Sequence, residues 1–474
     1  MRPYLWSPWR SASADPGRLA VVAGDDACTF GELTARADAL ALGLRRRGVA
    51  DGSVLSTDIP TGPRFFALAL AALAHGYGLF PVEAGLLRSA AGPRLLADMR
   101  VVLHVTDEST DAGTPVLPCP VTGDDALARP ATGPASSFPP VPAGYLAFVT
   151  SGTTGEPQAV PRVRPPRPYR GVAVEQRYAA GPDQGPHLMA NPTYHLGTLG
   201  PALYALQAGS AVVVQRGWSP ERFVELADRH EAASTMLSPD LLVDLVTAGR
   251  APARPLRAVF HGGAACPPEV KRAAIGLLGP VLHEYYGTSR SILTEIDTAG
   301  WLARPGSVGR ALPGIRLSVE RDGVPVAAGR LGEITARLRR VDSGDGDEVL
   351  RTGDVGYLDD GGHLFVVGRA DPTGAAHLAL LEHLARGLPG VTDVAVVDGP
   401  EPVCHVETRA PERDSALAGA LGTAAVAHGL PVPRVVLHRS GTLPRTASGK
   451  IRRAALASLA SVASVAAPGD RRPG

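Results

Sequence analysis

One stretch limits what this chain can fold into more than any other. From Tyr145 to Val160 it reads YLAFVTSGTTGEPQAV, an apolar strand that runs into a loop made almost wholly of glycine and hydroxyl residues. Gly152 and Gly155 permit positive φ and a close approach of backbone to ligand, while Thr150, Ser151, Thr153 and Thr154 place hydroxyls beside exposed amides. Such a loop suits an oxyanion, phosphate above all. It is not the Walker loop, because Gly-x4-Gly-Lys-Ser/Thr is absent and no lysine follows the second glycine. Taken alone, a Ser/Thr/Gly run is also what many surface loops contain, so the rest of the chain has to decide.

At 474 residues and 49.0 kDa the chain exceeds what one core serves, which predicts a large domain and a smaller one. A hydrophobic fraction of 45% with 20% charged residues fits a packed globular enzyme. The 47 basic and 46 acidic residues nearly cancel, leaving no electrostatic footprint for nucleic acid. Cys28, Cys119, Cys266 and Cys404 lie far apart without a CxxC pair, so neither a disulfide framework nor a zinc site is expected. The N-terminal MRPYLWSPWRSASADPG lacks the apolar core of a signal peptide, and no run is long enough to span a membrane; a cytoplasmic protein without membrane partners is the expectation. Lysine occurs only at 271 and 450.

Thr29-Phe30-Gly31-Glu32 reads as a capping box, followed by Leu33, Ala37, Leu40 and Leu44 at helical spacing up to Gly48. Phe65 to Ala74 reads as a second, apolar helix. Strands are expected at 101–105, 145–149, 211–215, 258–260 and 281–285, with helices such as 220–230 between them, a pattern that predicts mostly parallel sheets covered on both faces. Residues 107–144, crowded with Pro, Gly, Asp and Ser, read as a meandering surface connection. From Gly306 shorter strands and turns suggest a small antiparallel barrel. Gly368-Arg369-Ala370-Asp371 marks a hinge before a small α+β lid at 372–458. The expected fold is thus α/β, with a large multi-layer domain over residues 1–368, a mobile lid domain over 369–467 and a disordered tail at 468–474.

Thr-Ser-Gly-Thr-Thr-Gly-x-Pro at 150–157 resembles the phosphate loop of the adenylate-forming superfamily: acyl-CoA synthetases, the adenylation domains of peptide synthetases, and luciferases. Leu443 to Arg453, LPRTASGKIRR, resembles that family's terminal Pro-x-Thr-x-x-Gly-Lys motif. Between them Tyr285-Tyr286-Gly287-Thr288-Ser289 is similar to its Tyr-Gly-x-Thr-Glu motif, and Arg351-Thr352-Gly353-Asp354 and Gly368-Arg369-Ala370-Asp371 follow in the family's order. Five separately weak patterns in one order cover the chain from about Pro16 to Leu456.

The resemblance implies ATP with Mg2+ as cofactors and a carboxylate that attacks the α-phosphorus, with pyrophosphate leaving. It gives the β- and γ-phosphates to Thr150–Gly155, and the reacting oxygens to Lys450, carried on the lid. Asp354 would accept from both ribose hydroxyls; the bland alternative is a turn aspartate. Arg369 would reach ribose or α-phosphate, and Gly262, Gly263 and Ala264 would pass the adenine. Tyr286 would offer its ring to the base beside Gly287, Ser289 a hydroxyl near the α-phosphate, and His195 with Gly197 would border the acid pocket. Asp371 would be the hinge. The basic run at 162–170 is either an anion contact or a solvated loop.

Three departures bear on function. Gln158 stands where the family usually has lysine. Arg290 stands where it has the glutamate that helps hold Mg2+, so Glu284 or Glu295 substitutes, or the metal is held by phosphates and water, or Arg290 itself neutralises charge. After Asp371 the chain goes almost straight to a helix, without the segment that helps build the thioester-forming face in CoA ligases. Three readings follow. The first is a ligase that activates a small acyl or aryl acid and passes it to an amine or thiol acceptor, a carrier protein included. The second is an amide-forming or diazotase-like enzyme that adenylates an acid or nitrite for an amine. The third is a non-catalytic relative, against which Lys450, Asp354 and the hydroxyl-rich loop argue.

Overall fold

A computed structural model describes residues 8–106, 121–122, 144–149, 157–162, 179–190, 194–338, 348–369, 376–399, 401–409, 411, 416–427, 430–445, 451–453 and 455–456. The loop Thr150–Gly155, Asp371, Lys450 and the tail at 468–474 lie outside the described residues.

Two largely parallel sheets form the large unit. In the nine-stranded sheet, Leu19–Ala23, Val212–Val214, His187–Met189, Ser234–Leu237, Ala258–Gly262 and Leu282–Gly287 run parallel side by side, with antiparallel strands added at both edges. In the six-stranded sheet the order is Val121–Thr122, Val101–Thr106, Val54–Thr57, Gly78–Pro81, Tyr145–Val149 and Ala159–Arg162, the last antiparallel. Val121–Thr122 falls inside the stretch expected to be a plain connection. Two residues on a sheet edge carry no periodicity that a sequence pattern can register.

The helix Phe30–Arg46 starts as expected: the Thr29 hydroxyl accepts from the Glu32 N–H at 3.2 Å, and the Glu32 carboxylate accepts from the Thr29 N–H at 2.9 Å. The helix Pro63–His75 buries every residue except Arg64 and Ala74, and a helix apolar on all sides has to lie inside. Both helices share one core with Val21 and Val212 of the larger sheet and Leu55, Leu79 and Phe148 of the smaller. The helices Pro220–Arg229, Pro239–Ala248 and Pro268–Leu278 cover the opposite face of the larger sheet.

Beyond residue 314 the strands Val324–Pro325, Ile315–Arg321, Gly332–Leu338, Glu348–Leu358 and Leu364–Arg369 pair antiparallel in that order. The C-terminal part is α+β. Its three-stranded sheet, Val391–Val397, Val403–Thr408 and Arg434–Arg439, packs on the helices Ala376–Arg386 and Ala416–Ala427. Among the described residues no helix is long and apolar enough to cross a membrane. Thr29→Ala should destabilise the chain by about 1 kcal/mol through loss of the cap. Equilibrium urea unfolding reads this, and an unchanged midpoint would show that the cap contributes nothing.

Candidate functional site

The site is assembled where parallel strands of the larger sheet end. Ala258–Gly262 runs out into Gly263 and Ala264. A Cβ on Gly262 would stand 2.7 Å from the Tyr285 carbonyl oxygen, and Gly263 turns the chain at φ +87°. Only glycines allow that pairing and that turn. One strand over, Leu282–Gly287 ends in Tyr286 and Gly287 and folds back into Ile292–Asp297. Reciprocal backbone bonds between Thr288 and Ser291 close the hairpin, so Ser289 and Arg290 form its two-residue tip. The Arg290 N–H donates to the Thr288 hydroxyl at 3.2 Å and its side chain is exposed.

From the five-stranded sheet comes Asp354, opposite Arg369 in register. The Tyr286 hydroxyl donates to Asp354 Oδ2 at 2.6 Å, and Arg369 Nε lies 3.3 Å from Oδ1. The Asp354 N–H donates to the Thr352 hydroxyl at 3.1 Å, and Arg369 Nη1 donates to the Thr352 carbonyl at 3.2 Å. Burial first, and the Asp354 charge second, push the Tyr286 phenol far above its ordinary range, so it stays a donor. Residues 68 positions apart, chosen from separate motifs, thus meet in one hydrogen-bonded group.

His195 caps the helix Leu196–Ala208 without a side-chain cap bond and meets the Tyr194 ring edge-on at 4.8 Å. Burial, and then the Glu83 charge, push Tyr194 up to about 12. A Cβ on Gly197 would stand 3.4 Å from the Met236 methyl, and Met236 packs with the stacked rings of Phe260 and Tyr285. This aromatic side of the strand ends is separate from the Tyr286–Asp354 group.

Two carboxylates considered as metal ligands are engaged elsewhere. Glu284 accepts from Lys271 Nζ at 2.6 Å in the core, and Glu295 pairs with His283 Nδ1 at 3.3 Å. The inward face of the strand commits Glu284 to Lys271, whereas Glu295 is only half-buried beside His283. Among the described residues no cluster of three metal-ligating side chains occurs.

Some neighbours of the motifs were not singled out from sequence. Arg445 pairs with Asp393 at 2.8 Å and Glu407 at 2.6 Å, and Arg453 clasps Glu382 through both carboxylate oxygens at 2.8 Å. Arg445 and Ile451 form an antiparallel β-bridge. Both arginines sit inside LPRTASGKIRR, but their partners are distant in sequence. Arg94 donates to the Pro157 carbonyl at 3.0 Å, just past the glycine-rich loop. Glu269, on the helix Pro268–Leu278, accepts from the Gly390 N–H of the C-terminal part.

The sequence profile of the AMP-binding enzymes matches residues 8–344. The chain belongs to that family. It is 31% identical over 441 residues to a sulfoacetate–CoA ligase of Cupriavidus necator, covering 85% of this chain and 82% of the relative. Its fold is shared with the anthranilate–CoA ligase AuaEII in complex with anthranoyl-AMP, at TM-score 0.77 and 18% identity over 98% of this chain and 99% of the other. The amide bond synthetase McbA from Marinactinospora thermotolerans superimposes at TM-score 0.69 and 23% identity, over 96% and 99%. The chain is therefore an AMP-forming ligase that activates an acid with ATP as its acyl adenylate.

If Asp354 receives the ribose hydroxyls, as the resemblance implies, Asp354→Ala should weaken ATP binding by about tenfold or more, the Tyr286 hydroxyl losing its partner as well. Calorimetry with ATP checks this; unchanged affinity would reduce Asp354 to a turn residue.

Proposed function

We propose that the Tyr286–Asp354–Arg369 group is the nucleoside end of the site, and that observation carries the reading of every other role. Ribose bridges Asp354, the Tyr286 ring lies against adenine, and Gly262–Ala264 give the base a close backbone edge. Thr150–Gly155 hold the β- and γ-phosphates. Ser289 and Arg290, at the hairpin tip, face the α-phosphate, where the guanidinium offsets the charge that two approaching anions create. Mg2+ would be held chiefly by the phosphate oxygens and water, and would offset phosphate charge there.

A small acyl or aryl carboxylate lies on the side of His195 and Gly197. One carboxylate oxygen attacks the α-phosphorus, the bond to the bridging oxygen breaks, and pyrophosphate leaves with that electron pair. Lys450 holds the carboxylate and α-phosphate oxygens in line. Residues 1–368 bind the reactants, and 369–467 form the lid, with its hinge at Asp371. Since ATP is the driving reactant, the reaction is placed in the cytoplasm.

For the acceptor, the helix Ala376–Arg386 begins five residues after Asp371, which leaves little chain for a thiol-guiding face. An amine acceptor is therefore preferred to free CoA, and the same shortening keeps the nitrite-adenylating alternative in play beside carrier-bound thiols. Lys450→Ala should lower adenylate formation on the order of a hundredfold or more, the usual loss for one such electrostatic contact. ATP–pyrophosphate exchange over a panel of acids, nitrite included, measures it; exchange near the wild-type rate would remove Lys450 from the mechanism. Offered CoA, a carrier protein, hydroxylamine and arylamines in parallel, the adenylate should be consumed fastest by amines. Efficient thioester formation at micromolar CoA overturns the acceptor assignment.

A further inference from the structure

Beneath the adenine turn lies a buried polar group that the reaction itself does not use. Lys271 is fully buried on the helix Pro268–Leu278, with Nζ 2.6 Å from Glu284 Oε2 and 5.0 Å from the centroid of the Trp301 ring. Glu284 Oε2 is 4.0 Å from His261 Nε2, and His261 and Glu284 are register partners on neighbouring parallel strands. His261 has no exposed surface, and neither of its ring nitrogens has a hydrogen-bond partner among the described residues. Burial first, then the Lys271 charge, hold its pKa well below the ordinary range, so it is neutral.

Stability alone explains such a pair poorly. Removing a lysine and a glutamate from water is expensive, and a well-packed apolar pair of similar volume often serves as well or better. What a charged pair adds is registry: it has one favourable geometry where apolar contacts have many. The registry it fixes is local to the nucleotide. His261 is the residue before Gly262, and Glu284 stands two residues before Tyr286 on the same side of its strand. Lys271 is therefore bonded from behind to the strand end that carries the tyrosine tied to Asp354, and the Glu284 carboxylate it holds stands against His261 at the start of the adenine turn.

We propose that Lys271 is a positioning residue for the adenosine moiety, acting through Glu284 and His261 on the spacing of the turn at 262–264 and the ring of Tyr286. This role rests on the nucleotide reading above. It differs from ordinary core packing in a measurable way: ATP recognition should suffer while acid recognition and the chemical step are spared. The test compares Lys271→Met with the double variant Lys271→Met/Glu284→Gln, which leaves no uncompensated buried charge and serves as the measured protein if the single variant does not fold. Melting temperature, KM for ATP, KM for the acid and kcat of acid-dependent pyrophosphate release are read for each. The double variant should recover most of the melting temperature yet keep a KM for ATP raised about tenfold, with acid KM and kcat within about twofold of wild type. Recovery of KM for ATP together with stability, or a parallel loss in all three kinetic constants, overturns the proposal. A wild-type protein that binds no ATP by calorimetry would instead remove the nucleotide reading itself, and this role with it.

Discussion

The large unit depends on a helix with almost no side that tolerates water. Phe65, Phe66, Leu68, Leu70 and Leu73, with the buried alanines between them, leave no wet side on Pro63–His75, and it is covered by the helix Phe30–Arg46 together with strands of both sheets. Burying each of those side chains is worth roughly 1.5 to 3 kcal/mol, so a sheet that moved away would expose several at once. Gly76, at φ +87°, stops the helix so that the chain can re-enter the smaller sheet at Gly78.

Against that rigid background the nucleoside group is held by a few directional contacts. On the proposed reading the Tyr286 ring and hydroxyl serve two purposes that belong to different motifs, since the hydroxyl is committed to the Asp354 carboxylate assigned to ribose. A shift of the hairpin would displace the ring and weaken the carboxylate's orientation together. Ring and carboxylate, the proposed readers of base and sugar, are therefore one mechanical unit. Arg369 closes the other side of Asp354 from a neighbouring strand and is about half exposed, which leaves its guanidinium room to meet a ligand.

The sequence disclosed those features whose cause is local. The capping box at Thr29 and the glycines at 262 and 263 could be read because a cap or a tight turn is determined by adjacent residues. The apolar helix near 65–74 was legible for the same reason, being a run with no polar face. Motif order brought Tyr286, Asp354 and Arg369 onto one page, but not the bond that joins the first two, because a side-chain contact between strands of two different sheets, 68 residues apart, leaves no trace in spacing. The same limit hid the partners of Arg445 and Arg453. It also misdirected the search for a metal ligand: Glu284 looks available in a string of letters, and the pleat turns it inward onto Lys271. Val121–Thr122 escaped because so short an edge strand has no period.

An acyl adenylate is a mixed anhydride, and its natural hazard is the amine of whatever protein holds it. This chain has two lysines in 474 residues. Lys271 is sealed under the adenine turn with its ammonium against a carboxylate, which leaves Lys450 as the single other side-chain amine, while the remaining basic residues are arginines that do not acylate at neutral pH. An intermediate that strays from the site therefore meets a surface with almost nothing to label. Lysine acylation by its own product chemistry is confined to one position, and an added acyl mass on a lysine would name it.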